Sequence, residues 1–135
     1  MNPHGTHFQN HRREYSRGGL TEEAAGADPF ALLQRWLDEA AAAGVVEPNA
    51  MTVATASADG HPSARILLLK HLDGQGLVFF TNYLSRKGRD LAANPRAAAH
   101  FFWKEQERQI LVEGAEEQVE RELSARYFAS RPRDS

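Results

Sequence analysis

A mainly β chain with flanking helices (α+β), organised around a small antiparallel barrel, is the fold class that three features of this sequence predict. Five strand-like runs follow one another, mostly across short turns, which favours antiparallel neighbours. Two of them, "RILLLK" and "LVFF", are apolar at successive positions, so both of their faces should be covered, as in a closed or nearly closed barrel. Helical periodicity is confined to short segments before, between and after the strands.

The 135 residues suit one domain, divided into a mobile N-terminal segment over 1–27 and a barrel domain over 28–135. The first segment is polar and rich in Gly, His and Arg, with one helical turn expected around "HRREYS". "DPFALLQRWLDEAAAAG" is the clearest helix. Asp28 caps it, Pro29 takes the first position and Gly44 follows its end. Phe30, Leu33, Trp36, Leu37 and Ala40 recur at helical spacing and form its apolar face.

The period then changes to two. "AMTVATAS" and "HPSARILLLK" flank Ala58-Asp59-Gly60, a hairpin signal. "LVFFT" follows the turn-like "HLDGQG", and a short helix follows it, with Ser85 as N-cap and Asn94-Pro95 as stop. "AAAHFFW" and "RQILVEGAEEQV" are the last strands, with Gly114 as a bulge or bend, and "ERELSARYFAS" is a final helix.

Composition narrows the function classes. Net charge is -2 and the pI about 6.3, so bulk attraction to nucleic acid or to an anionic membrane is not indicated. The absence of cysteine excludes disulfides and thiolate chemistry and fits a reducing cytoplasm. No apolar run approaches the ~18 residues of a membrane span, and the N-terminus lacks the apolar centre of a signal peptide. His4, His7 and His11 have helical spacing, but Pro3 and Gly5 oppose a helix there, so no metal site is expected. His100 reads as a satisfied imidazole in an apolar strand, and Trp36 and Trp103 as packing residues.

The short helix carries an electrostatic oddity. Its first turn contains Arg86 and Lys87, at the end where unpaired backbone N–H groups already make the helix positive. A bound phosphate would reverse the sign of that repulsion, because it would be met by N–H groups, dipole and two cations together. The alternative is two solvated side chains whose repulsion water screens. Arg65 and Lys70 bound an apolar run, five residues apart. In a strand that puts them on opposite faces and ~16 Å apart, so one small group would not touch both. Phe80 and Thr81 end their strand just before the helix, and Gln109 opens another with an amide that both donates and accepts.

Together, "RREYSRGGL", "DPFALLQRWLDEA", "ARILLLKHLDGQGLVFFTNYLSRKGRDLAANPRAA", "FFWKEQERQILVEG" and "YFASRPRDS" closely resemble the pyridoxine/pyridoxamine 5'-phosphate oxidase family, from about Arg12 to the last residue. The resemblance implies an FMN-binding split β-barrel, a homodimer with FMN at the subunit interface, and oxidation of pyridoxine or pyridoxamine 5'-phosphate by oxygen. It assigns FMN to Arg65, Ile66, Leu67, Leu68, Leu69, Lys70, Phe80, Thr81, Arg86, Lys87 and Gln109. It assigns the substrate to Lys70, Tyr127, Arg131 and Ser135, with Arg12, Arg13, Glu14 and Tyr15 folding over the site. No protein nucleophile is expected. Because the sequence stops at "SRPRDS", the resemblance also implies a truncated member, incomplete at the C-terminal end and without the family's Arg-x-His element. Two other readings remain: a flavin or pyridoxal-phosphate binder without oxidase activity, and an anion-binding or nucleic-acid barrel.

Overall fold

The computed structural model describes Gly5, residues 20–80 and residues 86–116, with the side chains of Arg86 and Lys87 outside the description. The expected turn at "HRREYS", the cap at Ser85 and the helix "ERELSARYFAS" fall outside it as well.

A short helix, α1 (Glu22–Ala25), is capped by the Thr21 hydroxyl, and its Ala24 carbonyl accepts a hydrogen bond from Arg35 of the next helix at 2.5 Å. That next helix, α2 (Pro29–Ala42), starts as its sequence dictates, with Asp28 accepting from the Phe30 N–H at 2.9 Å and Pro29 at the first position. At its far end Gly44 takes a left-handed φ of 82°, which lets Val45 N–H return to the Ala40 carbonyl.

Four strands, β1 (Ala50–Ala56), β2 (Pro62–Leu68), β5 (Arg96–Trp103) and β6 (Arg108–Ala115), form one antiparallel sheet in the order β2-β1-β5-β6. Two short strands, β3 (His71–Asp73) and β4 (Gly76–Val78), pair separately, and helix α3 (Arg86–Ala93) connects them to β5. The β1–β2 hairpin closes where the sequence signals it. Ser57 N–H donates to the His61 carbonyl, Gly60 N–H returns to the Ser57 carbonyl, and Gly60 adopts φ 89°.

One face of the sheet makes the core. Met51, Val53, Phe101 and Trp103 point inward and pack with Leu69 against Leu33, Trp36, Leu37 and Ala40 of α2. Four of the five α2 positions expected to be apolar-facing are thus buried, while Phe30 is half-buried. Trp103 also donates its indole N–H to the Pro48 carbonyl at 2.9 Å, which satisfies the polar atom of a residue only 2% exposed.

Four differences from the sequence reading have physical causes. The strands are not a simple meander, because β1 pairs with β5 across the intervening β3–β4 and α3. Gly114 is no bulge: it lacks the left-handed φ of a glycine bulge and pairs with Ala97 in an uninterrupted β5–β6 register. "RILLLK" is not covered on both faces among the described residues, as Ile66 is 65% exposed on the outer face. His71 belongs to β3 rather than to a turn. The described sheets do not close on themselves.

Candidate functional site: an arginine held by two hydroxyls at the sheet rim

The inner face of β1 alternates Met51, Val53, Thr55, and the polar member lies opposite Ser63 of β2. Arg65, one step along the same face of β2, pairs with Val53. It is half-buried, and three of its guanidinium donors are engaged with this neighbourhood: Nη1 donates to the Val53 carbonyl at 2.9 Å and to Thr55 Oγ1 at 3.0 Å, and Nη2 donates to Ser63 Oγ at 2.6 Å.

Helix α3 closes the arrangement from above. Asp90, 5% exposed, accepts from Thr55 Oγ1 at 3.2 Å and from Ser63 Oγ at 3.1 Å through the same oxygen, Oδ2. A strand arginine and a helix carboxylate therefore share two hydroxyls. Thr55 also borders a cavity of about 590 Å³, lined by Ala54, Ala56, Asn94, Arg96, Ala97, Ala98, Glu113, Gly114 and Ala115. It opens where β1–β5 pairing ends after Ala54 and Ala98. That volume lies in the range of small-molecule sites.

The donor set suits an anion. A guanidinium carries five N–H donors, and among the described residues three of Arg65's are used. The start of α3, the positive end of its dipole, lies at the same rim. Arg65 and α3, both singled out from sequence, are brought together here. Thr55, Ser63 and Asp90 were not foreseen. A signal existed in the polar residues that interrupt the inward apolar alternation of β1, but the acceptor from α3 is a tertiary contact that no local pattern encodes.

The other candidates are distributed more widely. Ile66 and Leu68 lie on the outer face, Leu67 on the inner face opposite Met51, and Leu69 is buried with its N–H on the Asn49 carbonyl. β2 begins at Pro62 and ends at Leu68, so Arg65 is interior to the strand rather than its opening residue. Lys70 lies beyond it, exposed, its N–H donating to the Val78 carbonyl. Phe80 is half-buried after β4. Gln109 pairs with Phe102 on the outer face of β6, the edge opposite β2, so Arg65 and Gln109 are not neighbours within one chain. Its Oε1 is 2.7 Å from His100 Nε2, which gives that imidazole the partner expected for it. Thr81, Arg12, Arg13, Glu14, Tyr15, Tyr127, Arg131 and Ser135 lie outside the described residues, as do the side chains of Arg86 and Lys87. Among the described residues no group of three or more His, Asp or Glu could hold a metal, and no helix is long and apolar enough to cross a membrane.

Comparison with known proteins places this geometry. Residues 37–135 match the family model described as pyridoxamine 5'-phosphate oxidase. The chain is 60% identical over 121 residues to a pyridoxine/pyridoxamine 5'-phosphate oxidase of Burkholderia multivorans, covering 90% of this chain and 56% of that protein. It is 58% identical over 121 residues to the enzyme of the same name from Bordetella pertussis, covering 90% of this chain and 58% of that one. The chain thus spans little more than half the length of the curated relatives it matches. Among solved structures, PhzG from Burkholderia lata 383, in complex with tetrahydrophenazine-1-carboxylic acid, superposes with a TM-score of 0.78 at 34% identity, over 82% of this chain and 55% of that one. A pyridoxamine 5'-phosphate oxidase-related, FMN-binding protein from Nostoc punctiforme shares the fold, with a TM-score of 0.59 at 19% identity over 74% of this chain and 55% of that one. The architecture is a split barrel whose described sheets stay open, and the chain belongs to the pyridoxamine 5'-phosphate oxidase family.

Proposed function

We propose that this chain binds FMN and belongs to an enzyme oxidising pyridoxine or pyridoxamine 5'-phosphate to pyridoxal 5'-phosphate, with oxygen as acceptor, in cytoplasmic vitamin B6 metabolism. The observation that carries the reading is Arg65, held by Val53, Thr55 and Ser63 at the sheet rim, beside a helix that begins Arg86-Lys87. In this reading Arg65, Arg86 and Lys87 take the FMN phosphate. Ile66 to Lys70, Phe80 and Thr81 run along the flavin. Lys70, Tyr127, Arg131 and Ser135 hold the substrate phosphate, under a cover formed by Arg12 to Tyr15. When bound, FMN supplies the hydride acceptor for the substrate's C4' carbon, and the chain's own residues bind and orient both partners.

Two features support a homodimer with FMN at the interface. Gln109 is remote from Arg65 in one chain, so an amide contact to the same flavin would come from a partner subunit. The outer face also presents Ile66, Phe102 and Leu111, each more than half exposed, as an apolar surface suited to a second copy.

The test is an absorption spectrum of the purified protein, followed by an oxygen-electrode assay with pyridoxine 5'-phosphate. Flavin bands with peroxide formation are expected. A colourless protein that does not quench added FMN would overturn the reading. Flavin bands without peroxide would favour the second reading, a flavin or pyridoxal-phosphate binder without oxidase activity. That alternative draws its support from PhzG, similar in fold at 34% identity and solved with a different ligand, tetrahydrophenazine-1-carboxylic acid.

A further inference from the structure

We infer that Asp90 is a positioning residue for the phosphate grip, locking the Arg65 guanidinium to helix α3 through the hydroxyls of Thr55 and Ser63. The inference rests on the reading of Arg65 as a phosphate contact.

Proton bookkeeping carries it. Each hydroxyl has one proton to give and two lone pairs to offer, whereas a carboxylate only accepts. Asp90 Oδ2 lies 3.2 Å from Thr55 Oγ1 and 3.1 Å from Ser63 Oγ, so both protons are committed to it. The lone pairs of both oxygens then face Arg65, which donates to them at 3.0 and 2.6 Å. Asp90 thus acts on Arg65 without touching it, its charge transmitted through one layer of polarised hydroxyls in a buried setting. Without that acceptor the hydroxyls turn on each other. They are 3.3 Å apart, and a bond between them would take a lone pair from the guanidinium.

The same contacts tether the helix. Asp90 is one turn, ~6 Å, beyond Arg86, the first residue of α3, so bonds to β1 and β2 hold the helix N-terminus in a fixed relation to Arg65. The strand donor and the positive end of the helix dipole then meet one phosphate as a preorganised unit, so less ordering is required when it binds.

The experiment compares FMN with riboflavin, which lacks the phosphate, by fluorescence titration of the full-length apoprotein. Asp90→Asn keeps the shape and removes the charge. It is expected to weaken FMN by on the order of tenfold, as for other residues that orient a ligand-binding group from behind, and to leave riboflavin unchanged. Ser63→Ala should show the same phosphate-selective loss in smaller degree, and combining the two should cost less than the sum of the separate effects. Equal loss for both flavins would make Asp90 merely structural and overturn the inference, as would unchanged FMN affinity in a folded Asp90→Asn protein. If Asp90→Asn does not fold, an unchanged FMN-to-riboflavin ratio in Ser63→Ala overturns it instead. Arg65→Ala separates the two levels: unchanged FMN affinity there would sink the phosphate reading itself, whereas loss there with none in Asp90→Asn would sink only the inference.

Discussion

Trp36 and Trp103 meet edge to face, ring centroids 6.2 Å apart and planes at 84°, and so fasten α2 to the centre of the sheet. Phe101 also stacks on Trp103, with centroids 5.5 Å apart. Trp103→Ala should therefore cost about 3–5 kcal/mol, the range for deleting a large buried aromatic. Trp103→Phe keeps most of the packing but leaves the Pro48 carbonyl without its donor, for about 1–3 kcal/mol. Urea denaturation gives both numbers, and a Phe variant as weak as the Ala variant would contradict the division.

Arg108 lies over the Trp36 ring, 4.6 Å from guanidinium to centroid, and also pairs with Glu39 on the same helix. The site is partly open to water, so the ion pair is screened and the cation–π contact contributes the larger share. Arg108→Ala is expected to destabilise by about 1–2 kcal/mol. Glu39→Gln should cost under about 1 kcal/mol, fading with added salt. A larger loss for Glu39→Gln would reverse that ranking.

If the proposed assignments hold, the two phosphate grips are separable. Arg86→Ala or Lys87→Ala should weaken FMN by roughly 1–3 kcal/mol, the scale of a charge-assisted contact. Arg131→Ala should leave FMN alone and weaken pyridoxal 5'-phosphate. Flavin quenching and pyridoxal-phosphate absorbance report the two independently, and joint loss in Arg131→Ala would show that the grips had been assigned to the wrong ligands.

If the outer face is the proposed dimer surface, a charge there should break the assembly. Leu111→Glu, with or without Phe102→Arg, is expected to convert a dimer to a monomer in light scattering, because each side chain is more than half exposed in one chain and would be buried against a copy. Its own melting temperature should change little once the concentration dependence is removed. A variant still dimeric at micromolar concentration would locate the interface elsewhere.

The hairpin turn carries a pH signature. Asp59 is held below the usual carboxylate value of 3.8, first by the Ser57 hydroxyl and also by His61. A depressed carboxylate stabilises the fold above the unfolded pKa, and that contribution disappears as pH falls through the lower folded value. The stability difference between the native protein and Asp59→Asn should accordingly be level at neutral pH and shrink below 3.8. Growth of the difference on acidification would contradict the sign.

What could be read in the sequence was local. Asp28, Pro29 and Gly44 bracket α2, and Ser57 to His61 close a hairpin, because each motif satisfies its backbone within a few residues. The inward alternation of β1 was equally visible. The β1–β5 pairing was not, since nothing near Val53 specifies Ala99. Exposure of Ile66 was misread for a related reason: hydrophobicity does not say whether a face meets the core or another surface. The site divides in the same way. Arg65 and the cationic start of α3 stood out against an apolar run and a helix dipole, while Thr55, Ser63 and Asp90 became meaningful only once α3 packed on the rim.

The pairing of Val53 with Ala99 also shapes how the chain acquires its structure. The β1–β2 and β5–β6 ribbons can each zip from a short turn, but neither shields Phe101 or Trp103 alone. Docking them requires closure of the whole intervening segment, the entropically expensive event that governs rates in non-local topologies. Maturation is therefore expected to wait on ribbon docking, leaving Trp36 unsheltered until the later ribbon, which carries Trp103, has been made and docked.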